Sequence, residues 1–155
     1  MLKILTEFDH NDFIPQKYTC EGENINPQIV VLNVPKTSKS LVITCEDPDA
    51  PSKTFVHWII WNIPIKNSPV IIEEGLPKIN TLSDGSKQGF NDFGKIGYDG
   101  PCPPKNHGIH HYFFKAYALD TLLTIDGKIT KEILEKSIET HIIDRGEIIG
   151  LYQRK

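Results

Sequence analysis

Hydrophobic residues in this chain fall in short runs rich in Val, Ile and aromatic side chains, each closed by Pro, Gly or Asn. Runs of that length and composition fit strands better than helices. The pattern predicts strands over Gln28 to Val34, Leu41 to Glu46, Phe55 to Ile63, Tyr112 to Leu119 and Ile148 to Tyr152. Only one segment keeps a helical period, with Ile133, Leu134, Ile138, Ile142 and more loosely Ile143 on one side and Lys131, Glu132, Glu135, Lys136 and Glu139 on the other. Thr130 as a candidate N-cap and Gly146 beyond the end predict a helix from Lys131 to about Asp144. No repeat or low-complexity tract is present, and the chain is expected to be mainly β.

Between Pro64 and Gly108 the periodicity lapses except at Val70-Ile71-Ile72, and this stretch holds seven of the eleven glycines and six of the eleven prolines. Long ordered loops are uncommon in compact domains and usually functional. Phe90, Phe93, Ile96 and Tyr98 supply apolar anchors that a disordered linker lacks.

With 155 residues, 39% apolar and 24% charged, residues 1–155 are expected to form a single domain whose core needs no staple. Seventeen Lys and Arg against twenty Asp and Glu, with no basic run, argue against nucleic acid as a partner. No segment approaches the ~20 apolar residues of a membrane span, so no membrane insertion is expected. Cys20, Cys45 and Cys102 are odd in number and widely spaced. That pattern predicts reduced thiols and a cytoplasmic location.

Three clusters carry candidate chemistry: Asp47-Pro48-Asp49-Ala50-Pro51, His57-Trp58, and Gly100-Pro101-Cys102-Pro103-Pro104 leading to His110-His111-Tyr112. Singly, each has a plain structural reading. Asp47-Pro48 suits a turn, and strand alternation puts His57 on one face with Ile59, Trp61 and Ile63, the setting of a core histidine. Cys102, His107, His110 and His111 look ligand-rich, but neighbouring strand residues diverge, and the spacing matches no common zinc site. No metal is expected. Asp92-Phe93-Gly94 copies a kinase triplet without the rest of the kinase signature. Neither a G-x-S-x-G elbow nor a Walker sequence is present. Taken together, the carboxylates, imidazoles and phenol beside a proline-stiffened loop can form a small polar pocket in which imidazolium N–H groups and a Tyr hydroxyl hold an anion.

These motifs, in this order, resemble the phosphatidylethanolamine-binding protein family, also called Raf kinase inhibitor proteins, and its prokaryotic branch most closely. Asn62-Ile63-Pro64, Asn91-Asp92-Phe93-Gly94, Gly97-Tyr98, Tyr117-Ala118-Leu119-Asp120 and Gly150-Leu151-Tyr152 extend the likeness over nearly the whole chain. The resemblance implies an all-β fold, a Greek-key β-sandwich of two antiparallel sheets with peripheral helices. It also implies an anion pocket formed by Asp47, Asp49, His57, Gly100, Pro103, Pro104, His110 and Tyr112. Glu21 and Val31 depart from the family pattern, and neither belongs to the implied pocket. The function expected is non-enzymatic, cofactor-free binding of a small phosphate-bearing ligand with a regulatory role. The alternative is a kinase or serine-protease inhibitor acting through surface loops. Self-association as a homodimer is a further expectation, and an unrecognised hydrolase ranks last because no activated nucleophile stands out.

Overall fold

The apolar run at Leu41–Cys45 forms strand β4 (Ser40–Asp47), every residue of which is buried. A strand apolar on both faces needs a covering layer on each. A computed structural model, which describes residues 1–155, shows both layers.

The chain runs β1 (Lys3–Leu5), β2 (Asp12–Phe13), a 3-10 turn (Gln16–Tyr18), β3 (Ile29–Leu32), β4, β5 (Phe55–Ile63), β6 (Val70–Ile72), β7 (Lys87–Gln88), β8 (His110–Leu119), α1 (Lys131–Ile138) and β9 (Ile142–Tyr152). A six-stranded sheet has the order β2-β9-β8-β4-β5-β7, and a three-stranded sheet has the order β1-β3-β6. Ile4, Ile29, Val31 and Val70 of the small sheet pack against Ile43, Trp58, Ile60 and Phe114 of the large one. On the outer face of the large sheet, Val42, Ile59, Trp61 and Leu119 are covered by Ile129 and by Leu134 and Ile138 of α1. The molecule is therefore the expected β-sandwich, antiparallel except where β2 lies parallel to β9.

Two expectations are corrected. The helix stops at Ile138 rather than near Asp144, and Ile142–Tyr152 is a strand. Ile142 does continue the helical spacing of Leu134 and Ile138, but from Ile142 onward the chain pairs with β8 from Leu119↔Ile142 to His110↔Tyr152. That long ladder, interrupted only by a register shift at Ala118/Leu119, outweighs a weak local propensity. Gly146 is consequently a strand residue. A Cβ there would lie 2.2 Å from the Leu2 carbonyl oxygen, so glycine permits β1 to cross close by. Thr130 precedes the helix, but its side chain makes no capping hydrogen bond.

The second correction concerns the cysteines. Cys20 and Cys102 form a disulfide, and only buried Cys45 is free. Two residues 82 apart in sequence meet because Cys20 follows the 3-10 turn and the Gly100–Pro104 segment runs alongside it. The Cys20 N–H donates to the Pro101 carbonyl at 3.1 Å. Sequence spacing carries no trace of that proximity.

The long Pro64–Gly108 stretch is ordered, as its anchors predict. Tyr98 is buried in the main core, whereas Phe93 is 44% exposed. Buried polar residues do as much of the anchoring. Asn91 Nδ2 donates to Asp99 Oδ2 at 2.8 Å, Asn24 Nδ2 to Asp99 Oδ1 at 2.9 Å, and Trp58 Nε1 to Gln88 Oε1 at 2.8 Å.

Candidate functional site

β4 ends, and β5 and β8 begin, at one end of the large sheet, with Asp47 opposite Phe55 and Glu46 opposite Phe113. The pairing of β4 with β5 is not one to one there. Cys45 pairs with Trp58 and Glu46 with Val56, which leaves His57 as an extra residue in a β-bulge. Val56 therefore joins Ile59 and Trp61 on the α1 side, while His57 turns to the other face, its ring 4.9 Å from Phe55 and 5.3 Å from Tyr112. The expected grouping of His57 with Ile59, Trp61 and Ile63 is thus corrected, because alternation holds only while pairing is regular. Ile63, past a second register shift, packs in the core between the sheets.

A cavity of about 190 Å³ opens at this end. Asp47, His57, His110 and Tyr112 form its polar wall, Pro103 and Pro104 its proline wall beside Cys102, and Ala50, Pro51, Phe55 and Phe93 an apolar rim. A larger cleft of about 590 Å³ lies between the sheets near β6, lined by residues such as Ile63, Leu76 and Leu82, and contains no imidazole or thiol.

His57 is buried, and its Nδ1 lies 2.7 Å from the Asp99 carbonyl oxygen. A ring nitrogen facing a carbonyl must carry the hydrogen, so Nε2 is the nitrogen left without a protein partner. Burial lowers the His57 pKa below the ordinary imidazole value, outweighing the hydrogen bond to Asp99 and the charges of Asp47, Asp92 and Asp99. Burial therefore favours the neutral form of His57.

His110 is held differently. Its Nδ1 lies 2.6 Å from Asp47 Oδ2, with both groups buried, and its Nε2 lies 2.6 Å from Nδ1 of His107. The other Asp47 oxygen accepts the Asp49 N–H at 2.8 Å. Tyr112 stacks beside His110 with ring centroids 6.5 Å apart, and its buried hydroxyl completes no well-aligned hydrogen bond, although Asp47 is close enough to interact with it weakly. Burial, followed by the Asp47 charge, raises the Tyr112 pKa, so the phenol stays protonated and able to donate.

Of the residues expected in the pocket, the structure brings together Asp47, His57, Pro103, Pro104, His110 and Tyr112. Asp49 and Gly100 stand outside the lining. Asp49 is exposed and its Oδ2 accepts from the His111 N–H at 2.8 Å and contacts His111 Nδ1 at 2.7 Å, which fastens the Asp47–Ala50 turn to β8. Gly100 supports the wall from behind. A Cβ there would lie 2.0 Å from the Tyr18 carbonyl oxygen, and its N–H donates to Asn24 Oδ1 at 2.7 Å. His110 and His111 point to opposite faces, as alternation predicts, with His110 buried and His111 exposed. Outside the pocket, Glu21 accepts a hydrogen bond from the Tyr152 hydroxyl, and Val31 is fully buried in the core.

Sequence reasoning missed Phe55 and Phe93 as rim residues and considered His107 only as a metal ligand. The rim was legible in part, since Phe55 begins the predicted strand that carries His57. The His107 contact was not, because it depends on left-handed backbone at Asn106 (φ 61) and Gly108 (φ 92).

The sequence profile of the family described as phosphatidylethanolamine-binding protein matches residues 5–153. A UPF0098 protein of Pyrococcus abyssi is 51% identical over 157 aligned positions, covering 100% of this chain and 86% of that protein. Among solved structures, the phosphatidylethanolamine-binding protein homologue CT736 of Chlamydia trachomatis superposes with a TM-score of 0.87 at 35% identity, covering 99% of this chain and 98% of that one. E. coli YbcL, described as a member of the mammalian family of this kind, superposes with a TM-score of 0.90 at 29% identity, with 99% of both chains covered.

Proposed function

This chain belongs to the phosphatidylethanolamine-binding protein family, and on that premise we propose that it is a non-enzymatic protein that binds a small anionic ligand in the Asp47–His57–His110–Tyr112 cavity. The ligand class is a phosphate-bearing head group or a similar oxyanion, and the role is regulatory. The observation that carries this reading is the buried Tyr112 hydroxyl on the cavity wall, which completes no hydrogen bond, on the same wall as His57, whose Nδ1 is committed to the Asp99 carbonyl and whose Nε2 is left for a ligand. An unsatisfied buried polar atom costs roughly 1–3 kcal/mol, which an oxyanion accepting from the Tyr112 hydroxyl would recover, and His57 Nε2 adds a second donor once it takes up a proton. At about 190 Å³ the cavity is smaller than the ~300–1,000 Å³ of drug-sized sites, which favours a head group over a whole lipid.

Binding rather than turnover is favoured because the lining has no Ser, Thr or Lys, and its only thiol, Cys102, is in a disulfide. No helix is long and apolar enough to cross a membrane. A cytoplasmic location remains our reading, although the argument from reduced thiols no longer supports it. Disulfides occur in intracellular proteins of hyperthermophiles as well as in oxidising compartments.

His57→Ala is expected to weaken phosphate and O-phosphoethanolamine binding about tenfold to a hundredfold, the value of one charge-assisted hydrogen bond of roughly 1.5–3 kcal/mol. Calorimetric titration of variant and wild type, with the fold checked by circular dichroism, measures this. Undiminished affinity in the folded variant would remove the anion reading and bring forward inhibition of a kinase or serine protease through surface loops.

The depressed His57 pKa sets the sign of the pH dependence. A bound oxyanion favours the charged ring, so binding takes up a proton between the low free-state pKa and the higher bound-state one. Affinity for sulfate, which does not titrate near neutrality, is expected to rise as pH falls through that window, by up to about tenfold per unit, and to level off below it. The slope should flatten in His57→Ala. A slope that persists there would assign the proton to a different group.

A further inference from the structure

Each nitrogen of His110 is engaged by another side chain. Nδ1 is committed to Asp47 at 2.6 Å, so Nε2 is the only nitrogen the ring can offer a ligand, and His107 Nδ1 occupies it at 2.6 Å. His107 belongs to the exposed loop outside the cavity lining, whereas His110 is 1% exposed. The contact is built into the loop. The His107 N–H donates to the Pro104 carbonyl at 3.2 Å, the Asn106 N–H donates to the Arg154 carbonyl at 3.0 Å, and Arg154 Nε donates to the Pro103 carbonyl at 2.6 Å. Left-handed backbone at Asn106 and Gly108 on either side aims the His107 ring back at His110.

We propose that His107 is an internal competitor for the anion site: it holds Nε2 of His110 and must rotate away before an anion can engage both buried histidines. This rests on the anion-binding reading above and adds the residue that sets its affinity. The loop backbone stays pinned to Arg154, so the exchange needs only rotation of an exposed side chain. Such rotations take picoseconds to nanoseconds and pose no kinetic obstacle. His107 thereby discriminates among ligands. Only a group that hydrogen-bonds His110 better than the His107 imidazole can displace it, and an oxyanion is such a group because charge-assisted bonds are roughly twice as strong as neutral ones.

The test is calorimetric titration of wild type, His107→Ala, His57→Ala and the double variant with inorganic phosphate, alongside nitrogen-15 NMR of the histidine rings. His107→Ala should tighten phosphate binding roughly threefold to tenfold, the value of one neutral hydrogen bond no longer broken on binding. In the wild type, phosphate should shift the ring signals of both His107 and His110. Unchanged or weakened binding in His107→Ala, with the fold intact, would overturn the proposal. Binding that ignores His57→Ala but still tightens in His107→Ala would overturn the assignment of His57 to the anion site and the shared engagement of both histidines, and would leave His107 competing for His110 alone. Absence of phosphate binding in both the wild type and His107→Ala would overturn both, since clearing His110 Nε2 should expose the site.

Discussion

Reducing the Cys20–Cys102 bridge with a dithiol is expected to lower stability by roughly 4–5 kcal/mol in the chain-entropy description of cross-links. Its size comes from the 82-residue separation of the two cysteines. Opening so long a loop frees the unfolded chain far more than the folded one. The folded state keeps its shape because the same two segments remain tied by Cys20 N–H to the Pro101 carbonyl at 3.1 Å, Tyr98 Oη–H to the Tyr18 carbonyl at 2.7 Å, and Gly100 N–H to Asn24 Oδ1 at 2.7 Å. For a chain of this size the loss corresponds to a fall in Tm of about 10–20 °C. Thermal unfolding with and without the dithiol, with thiol counts by mass spectrometry, measures it, and the Cys20→Ser, Cys102→Ser double variant should match the reduced wild type. A fully reduced protein with an unchanged Tm would refute the expectation.

The second large effect is at the buried Asp47–His110 pair. His110→Ala leaves the Asp47 carboxylate buried with the Asp49 N–H as its one remaining hydrogen bond. Removing one partner of a buried pair typically costs about 3–5 kcal/mol, because the remaining charge keeps its desolvation penalty. His57 hydrogen-bonds a backbone carbonyl, so its removal leaves no buried charge behind. Urea unfolding of His110→Ala, Asp47→Asn and their combination tests the mechanism. The double variant should regain much of what His110→Ala loses, since the uncompensated charge is gone. Strictly additive losses would show that the pair is not the cause.

How much of this was legible in the sequence depends on the range of the interaction concerned. Strands β4 and β5 were readable because their apolar runs report burial directly, and β5 falls on the predicted Phe55 to Ile63 limits. The Asp47, His57, His110 and Tyr112 constellation was readable through ordered motifs, each sitting at a strand end that the pattern had located. The chain after Ile138 was not, since Ile142 satisfies a helical and a strand period alike and only its ladder with β8 decides between them.

By itself, then, the sequence determined a β-rich sandwich, the set of titratable side chains at one end of it, and the divergence of His110 from His111. The β-rich character and the divergence of the two histidines follow from local periodicity, whereas the sandwich and the pocket set follow from the family resemblance that the ordered motifs carry. Tertiary structure decided the rest. It turned His57 inward through a bulge that exists only relative to β4, joined Cys20 to Cys102 across the fold, and set His107 on the nitrogen of His110 that a ligand needs. It also fixed the protonation of the pocket, because burial depends on what other segments pack over His57 and its neighbouring charges come from Asp47, Asp92 and Asp99. Register, cross-links and desolvation arise between segments distant in sequence, so no window along the chain contains them.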